Sequence, residues 1–293
     1  MSEFVIQTLS VVFLLSGMAV ILLVMWLMLW HRDRTVRLPI DRDKLQRIPA
    51  LGLQNQIQDL LFEILSAFMI AVMVVCLPFA VAGIHQHIVS GSIPWLFLLG
   101  SVLGVIYAAF KMWKSFGKLI KLRLGHAAEL ATANELIGLQ AFGYQIFHDV
   151  QADGFNIDHL VIGMNGVFVI ETKGRHKRNK DKKNGVKDHE VTFKEGKLLF
   201  PSWVETKPLD QAVRQAKWVG DWLSKSCGLD VSPMPILVFP GWFIKRDSKP
   251  PFPILSHRQL IKTIPNCRSQ LFTYEQIGQI AFQVGQKSMM SKI

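Results

Sequence analysis

Long uncharged apolar runs fill the first third of the chain, and shorter apolar periodicities follow. The uncharged runs cover residues 4–30, 64–84 and 88–110. Runs of this length can cross a bilayer core of about 30 Å, so the pattern predicts membrane spans at about 4–30, 64–84 and 90–110. No basic residue precedes the first run, which argues against a cleaved signal peptide. Burial of the runs in a soluble core is the alternative interpretation.

Basic residues are distributed unevenly around these runs. Residues 32–47 contain six Lys and Arg and residues 111–123 contain five, whereas residues 85–92 contain neither. Because cytoplasmic loops carry the excess of Lys and Arg, we expect a multi-pass protein of the inner (cytoplasmic) membrane with its N-terminus outside. The predicted organisation is a transmembrane region at 1–121 with basic cytoplasmic loops, followed by a cytoplasmic domain at 122–293.

Helix and strand periodicities alternate after Gly125, which we take as the start of the compact domain. An apolar stripe predicts a helix over residues 126–139. Pro208 opens a second helix that Gly228 ends, and Thr273 begins the last helix with a capping box. Strands are predicted at 144–150, 157–163, 167–173 and 235–239, with a further hairpin at 189–200 that turns at Glu195-Gly196. This order predicts an α/β fold with a mixed sheet flanked by helices.

The apolar runs on either side of Asn165-Gly166 predict a β hairpin. With a two-residue type I′ turn at Asn165-Gly166, Asp158 lies opposite Lys173. Side chains alternate between faces, so Asp158, Glu171 and Lys173 share one face within about 4.5–8 Å of one another. Two carboxylates and an ammonium among apolar side chains are costly, and they predict a metal site. A buried cross-strand ion pair between Asp158 and Lys173 is the alternative.

The spacing Asp-x12-Glu-x-Lys resembles the PD-(D/E)xK nuclease superfamily. Four segments carry a closer resemblance, to the nuclease-related domain (NERD) family, over roughly residues 122–245. They are Gly-His-Ala-Ala-Glu at 125–129, Ile-Asp-His at 157–159, Asn-Gly-Val-Phe-Val-Ile-Glu-Thr-Lys at 165–173, and Gln-Ala-x-x-Gln-Ala at 211–216. One departure is Ala128, which stands where the family usually has glycine before the helix glutamate.

This resemblance implies a restriction-endonuclease-like fold and metal-assisted hydrolysis of phosphodiester bonds, with Mg²⁺ or Mn²⁺ as the cofactor. The ion prefers oxygen ligands and activates a bound water. Lys173 would position that water, and Glu129 would complete the metal shell. The implied catalytic set is Asp158, Glu171, Lys173, Glu129 and Gln211, and the implied metal ligands are Asp158, Glu171 and the backbone carbonyl of Thr172.

A basic loop follows the predicted site, and its partner would be DNA. The net charge of +11 fits contact with phosphates and with anionic membrane lipid. A solvated insertion is the alternative for the loop, and a surface position is the alternative for the two glutamines. The predicted nucleic-acid-binding residues are Arg175, Lys177, Arg178, Lys180, Lys182, Lys183 and Gln215.

Three functions therefore remain open at this point. The first is a membrane-anchored, Mg²⁺-dependent nuclease that acts on DNA at the cytoplasmic face, and the full set of site residues favours it. The second is a non-catalytic, membrane-tethered DNA-binding module. The third is a scaffold whose basic segments bind anionic lipid and take part in assembly.

The three cysteines have no metal-ligand spacing and Cys76 lies within a predicted span, so we expect no disulfide framework.

Overall fold

The computed structural model shows long helices followed by a mixed α/β region. It describes residues 20–36, 39–41, 44–88, 95–179, 181 and 187–289, and the backbone alone for 77–88 and 95–97. Contacts divide the chain into two compact units, Met1–Asp41 with Gln58–Leu119, and Arg42–Ile57 with Ile120–Ile293. The second unit thus includes a short segment that the sequence predicted to be a membrane-flanking loop.

The elements are numbered here in chain order. The helices of the first 137 residues are α1 (20–35), α2 (Leu51–Ile88) and α3 (Trp95–Ile137). The strands are β1 (Gln145–Gln151), β2 (Asn156–Gly163), β3 (Gly166–Thr172), β4 (Glu190–Lys194), β5 (Lys197–Phe200), β6 (Trp203–Glu205), β7 (Met234–Val238), β8 (Phe243–Arg246) and β9 (Ile254–Leu255). The later helices are α4 (Lys207–Cys227), α5 (Leu260–Thr263) and α6 (Tyr274–Lys287).

The apolar helices support the membrane prediction only in part. Among the described residues, one helical stretch, Leu51–Cys76, is long and apolar enough to cross a membrane, with a mean hydropathy of 2.3. It begins well before the predicted span at 64–84. The predicted span at 4–30 lies largely outside the described residues, as does the start of the span at 90–110. The structure therefore supports one candidate membrane helix where three were predicted.

The helix predicted to begin after Gly125 is part of a longer one, because α3 continues through this residue without a break. A glycine inside a helix costs only about 1 kcal/mol relative to alanine. Here the missing side chain makes room for a neighbour, since a Cβ at Gly125 would lie 3.2 Å from Cδ1 of Leu53. The helix predicted at 126–139 is consequently the last part of α3.

Two mixed sheets form the α/β part. The first has the strand order β1-β2-β3-β7-β9, in which the β1–β2 and β2–β3 pairs are antiparallel and the β3–β7 and β7–β9 pairs are parallel. The second has the order β6-β5-β4-β8, with β4 and β8 parallel. Glu195 and Gly196, with φ of 49° and 73°, form the β4–β5 turn as predicted. A mixed α/β fold is confirmed, with two sheets in place of one.

Helices cover both faces of the first sheet, which explains why its strands are apolar on both sides. On one face Leu160 of β2 packs in the same cluster as Val219 of α4. On the other face Phe168 of β3 packs in the same cluster as Leu136 of α3. The polar residues at the ends of β2 and β3 therefore interrupt an otherwise buried apolar layer.

Candidate active site

The hairpin that carries the predicted site turns one residue earlier than expected. Gly163 pairs with Gly166, so Met164 and Asn165 form the loop. Neither has a positive φ, which a type I′ turn requires. The Asn165 side chain is instead held by distant parts of the chain, because it donates to the carbonyls of Ile264 and Cys267 and accepts from the hydroxyl of Tyr144. These tertiary bonds override the local turn preference.

The observed register corrects the predicted pairing but preserves the predicted face. His159 pairs with Ile170, so the same register sets Asp158 opposite Glu171 and not opposite Lys173. The register differs from the predicted one by two residues, and side chains alternate with a period of two. Asp158, Glu171 and Lys173 therefore gather at the same end of the hairpin.

Glu171 and Lys173 are in direct contact at this end of β3. Nζ of Lys173 forms an ion pair with Oε1 of Glu171. The Glu171 residue is only 1% exposed, and its Oε2 is buried with no hydrogen-bond partner. The backbone N–H of Lys173 donates to the carbonyl of Val238 on β7 at 2.8 Å, which fixes the chain where it leaves the sheet. Oε2 of Glu171 is thus a buried carboxylate oxygen whose loss of hydration no hydrogen bond offsets.

Asp158 is held against the same strand by a backbone hydrogen bond. The N–H of Thr172 donates to Oδ2 of Asp158 at 2.7 Å, and Oγ1 of Thr172 donates to Oγ1 of Thr132 on α3 at 3.3 Å. Burial, followed by the charges of Glu171 and Glu129, raises the pKa of Asp158 well above its usual value. Burial and the neighbouring acids therefore both favour the protonated form of Asp158.

Glu129 of α3 is the third acid of the cluster. Burial raises its pKa to about 8, with further contributions from the charges of Asp149 and Glu171 and an opposing one from Lys173. The preceding Ala128 is buried, and a Cβ at Gly174 would lie 3.1 Å from the Cβ of Ala128. Gly174 thus leaves room for the methyl group that stands where the family usually has glycine.

These residues fit a small divalent cation. Mg²⁺ binds through one or two carboxylates and keeps several waters, and Asp158 and Glu171 with the carbonyl of Thr172 supply that kind of oxygen donor. The partnerless Oε2 of Glu171 is the observation that supports this fit. In the part of the chain that the structure describes, no three His, Cys, Asp or Glu side chains are placed to hold an ion, so these side chains alone do not form a complete cage there.

The two predicted glutamines of α4 differ in their surroundings. Gln211 is half-buried. Gln215 is 1% exposed, and its Nε2 donates to the carbonyl of Asn156 at 3.3 Å. That burial argues against the predicted contact of Gln215 with nucleic acid. Its amide instead ties α4 to the first residue of β2, two positions before Asp158.

The basic loop borders a cleft of about 640 Å³ beside the acids. Arg175 is already engaged there, because it donates to both carboxylate oxygens of Glu205 at 2.8 and 2.7 Å. Burial alone would raise the pKa of Glu205, but hydrogen bonds from Arg175 and Trp203 hold it below its usual value. The basic side chains that line this cleft are Lys121, Lys173, Arg175, His176 and Arg178.

The remaining basic residues of the loop are placed less uniformly. Cζ of Arg178 lies 4.5 Å from the centre of the Trp203 ring, and Nζ of Lys177 lies 5.7 Å from that of Trp242. Lys180, Lys182 and Lys183 lie outside the described residues. The structure thus brings the acids and Lys173 together, and it places only part of the predicted basic surface beside them.

Comparison with known proteins points to the same segment. Residues 124–240 match the family model of the nuclease-related domain (NERD). No curated protein and no solved structure matches the chain. The NERD match contains every predicted catalytic residue and indicates a nuclease-related function for this part of the chain.

Sequence reasoning missed one polar residue of the NERD segment, Asp149. It lies on β1, is 4% exposed and has a φ of 49°. Its carboxylate accepts hydrogen bonds from Arg47, Gly52 and Asn156. No local pattern marks Asp149, because two of its three partners, Arg47 and Gly52, come from a segment about a hundred residues away.

Proposed function

We propose that the protein is a membrane-anchored, Mg²⁺-dependent nuclease that hydrolyses DNA phosphodiester bonds at the cytoplasmic face. The observation that carries this proposal is an excess of buried acidic groups over cations in the NERD segment. The charge of Glu171 contributes to raising the pKa of both Glu129 and Asp158, and Lys173 is the cation in contact with Glu171. Buried acids with this imbalance are typical of sites that bind a cation or do chemistry.

Mg²⁺, or Mn²⁺ in its place, would lower the pKa of a bound water and stabilise negative charge on the phosphate. Asp158 and Glu171 would hold the ion through their carboxylates, and Thr172 through its backbone carbonyl. The hydrogen bond from Thr172 N–H to Asp158 keeps that carboxylate in one orientation. Lys173 would donate from Nζ to the attacking water or to a phosphate oxygen, where it offsets developing negative charge.

Glu129 and Gln211 would act at the borders of this centre. The pKa of Glu129 is raised to about 8 by burial and by neighbouring acids, so the carboxyl carries its proton at neutral pH. A cation between the acids would favour loss of that proton and let Glu129 complete the metal shell. Gln211 would orient the scissile phosphate from α4.

The DNA backbone would follow the basic cleft. Lys121, Arg175 and Arg178 line it beside Lys173, and Lys and Arg supply most of the affinity for phosphates. The Arg178 guanidinium lies over Trp203, which holds it in place at the cleft. Arg175 is neutralised by Glu205, so we expect Arg178 and Lys121 to contribute more to DNA affinity than Arg175.

The apolar helices would anchor the enzyme in the membrane. The stretch Leu51–Cys76 has the length and hydropathy of a span, its part from residue 64 onward would enter the membrane, and the uncharged runs at 4–30 and 90–110 would supply two more spans. The exposed Trp113 of α3 lies among lysines that fit a headgroup layer. With the N-terminus outside, a reporter fused after residue 293 would be active only in the cytoplasm, and a periplasmic signal would contradict this topology.

Cleavage by the full-length protein in lipid nanodiscs tests the catalytic proposal. With Mg²⁺ or Mn²⁺ the protein is expected to cut DNA, and Lys173→Ala is expected to reduce the rate about 100- to 1,000-fold. Lys197→Ala, on the exposed β4–β5 turn, is the matched control and should cut at the wild-type rate. Equal cleavage by Lys173→Ala and wild type would contradict the mechanism.

A non-catalytic, membrane-tethered DNA-binding module is the second candidate, and the basic lining of the cleft is the observation that favours it. This function predicts DNA binding that weakens with salt, survives removal of metal by EDTA and is unchanged in Glu171→Gln. Metal-dependent cleavage that Glu171→Gln abolishes would exclude it in favour of the nuclease.

A further inference from the structure

The segment between the first two apolar runs belongs to the same compact unit as the candidate site. Arg42–Ile57 clusters with Ile120–Ile293, although it lies far outside the NERD match at 124–240. Its backbone is tied to the end of α6, because the N–H of Arg47 donates to the carbonyl of Ser288 at 2.8 Å. An isolated bridge also pairs Gln46 with Met289. The segment is therefore held at a fixed place in this unit.

Arg47 makes a buried ion pair with Asp149 of β1. Its Nη2 and Nε donate to Oδ2 of Asp149 at 2.6 and 3.0 Å, and the two residues are 8% and 4% exposed. Gly52 N–H donates to the same oxygen at 3.0 Å, and Nδ2 of Asn156 donates to Oδ1 at 2.8 Å. Asp149 keeps a left-handed φ of 49°, a conformation that persists only where the surroundings determine it strongly.

Asp149 lies directly beside the strand that carries Asp158. On β1 and β2 His148 pairs with His159 and Val150 pairs with Ile157, so Asp149 lies between the two β1 residues that pair with the neighbours of Asp158. Asn156, which binds Asp149, starts β2 two residues before Asp158. The position of Asp158 therefore depends on contacts that begin at Arg47.

The same segment forms one wall of the space next to the acids. Gly52, Leu53 and Gln56 line a cleft together with Glu129 and Asp158. A Cβ at Gly52 would lie 2.9 Å from Nδ2 of Asn156, so an added methyl group would displace the amide that binds Asp149. Without Arg47, the Asp149 carboxylate would be a further uncompensated negative charge beside Glu129.

We propose that Arg47 is a positioning residue of the nuclease site, which fixes β2 and Asp158 by neutralising and orienting Asp149. The segment between the first two apolar runs is accordingly part of the catalytic unit and not only a membrane-flanking loop. This inference rests on the proposed nuclease function for its kinetic readout. Its structural readout, the stability of β2, is independent of that function.

The test compares four variants of the full-length protein in lipid nanodiscs. Arg47→Met removes the charge, Arg47→Lys keeps it, Gly52→Ala inserts a methyl group against Asn156, and Arg47→Met with Asp149→Asn removes both charges. Arg32→Met is the matched control, because Arg32 pairs with Asp33 at the surface of the same flanking region. The measurements are kcat and KM for DNA cleavage with Mn²⁺, and hydrogen–deuterium exchange in peptides covering residues 154–160.

Arg47→Met and Gly52→Ala are expected to lower kcat roughly 10- to 100-fold, the usual effect of losing a residue that orients a metal ligand, with KM nearly unchanged. Arg47→Lys and the double variant should recover much of this loss. Exchange in residues 154–160 should increase in Arg47→Met and not in β4–β5. Arg32→Met should match wild type in all measurements.

Three results would count against the inference, and the first two are direct. One is a wild-type kcat in Arg47→Met, and the other is unchanged exchange in residues 154–160. If the wild-type protein itself does not cut DNA, the proposed nuclease function fails, and the exchange measurement still decides whether Arg47 fixes β2. A loss of kcat in Arg47→Met that neither Arg47→Lys nor the double variant restores would also count against it, because charge neutralisation is the stated cause.

Discussion

Two buried polar clusters lie on neighbouring strands of the same sheet, and they differ in how well their charges are compensated. Both oxygens of Asp149 are hydrogen-bonded, with Arg47 as the paired cation. Near it, Oε2 of Glu171 has no partner, and three acids accompany the single ammonium of Lys173. Native structures satisfy nearly all buried polar groups, so a buried carboxylate oxygen without a partner is informative. The Asp149 cluster, in which both carboxylate oxygens are hydrogen-bonded, maintains structure. The cluster of Glu129, Asp158 and Glu171 is suited to bind a cation.

The largest expected effect is on catalysis. Glu171→Gln should abolish metal-dependent DNA cleavage, with a loss of about a thousandfold or more, because a bound metal supplies several kcal/mol of transition-state stabilisation. The same variant should keep most of the stability of wild type, because the charge that it removes is paired with Lys173 but also acts against Glu129 and Asp158. Cleavage rates and thermal melting in metal-free buffer check both parts. If Glu171→Gln still cut DNA but unfolded more easily than wild type, Glu171 would maintain structure and would not take part in catalysis.

The second effect is on stability and concerns the Asp149 cluster. Arg47→Met leaves Asp149 buried and unpaired, which should lower the free energy of unfolding by about 3–5 kcal/mol. Arg32→Met removes an exposed ion pair that is likewise formed by an arginine and an aspartate. It should lower the free energy of unfolding by no more than about 1 kcal/mol. Denaturant unfolding of the full-length variants measures the difference. Equal losses in the two variants would remove the contrast between the clusters.

A pH dependence distinguishes the clusters further. Burial and neighbouring acids raise the pKa of Glu129 from 4.5 to about 8, so the folded protein keeps this proton where the unfolded chain has lost it. In metal-free buffer the Glu129 contribution to stability should therefore fall as pH rises from about 4.5 to 8, and it should level off above that. The stability difference between Glu129→Gln and wild type should grow over this window. Added Mg²⁺ should make the stability difference between Glu129→Gln and wild type nearly independent of pH. A pH-independent difference in metal-free buffer would contradict the raised pKa of Glu129.

The smallest expected effect is on DNA affinity. Lys177→Ala removes an exposed ammonium of the basic loop and should reduce the slope of log affinity against log salt by about one unit. Lys194→Ala, in the exposed part of β4, is the control and should leave the slope unchanged. Fluorescence anisotropy at several salt concentrations measures both slopes. Equal slopes for Lys177→Ala and wild type would mean that DNA does not contact Lys177.

The sequence predicted the local features of the α/β part well. Period-two and helical patterns located the longer helices and the strands β1 to β5 and β7, but not β6, β8, β9 or α5. The capping box at Thr273 is confirmed by its hydrogen bonds with Gln276. The acids of the candidate site followed from alternation along β2 and β3. That inference survived the wrong turn at Asn165, because a register change of two residues leaves every side chain on its face.

The long-range features were beyond local patterns. Asn165 departs from its turn preference because residues 264 and 267 bind its side chain. Arg47 was counted among the basic residues that set membrane orientation, yet its guanidinium is buried against Asp149. Gln215 shares its helix with Gln211 but is buried. In each case the decisive partner lies about 60 to 100 residues away along the chain.

The central claim is that Asp158 and Glu171 share one divalent cation. Anomalous diffraction from crystals of the full-length protein soaked in Mn²⁺ tests it most directly. The account predicts a manganese peak within coordination distance of both carboxylates and of the carbonyl of Thr172, and no such peak in Glu171→Gln crystals. Wild-type crystals with no manganese between Asp158 and Glu171 at saturating Mn²⁺ would contradict it.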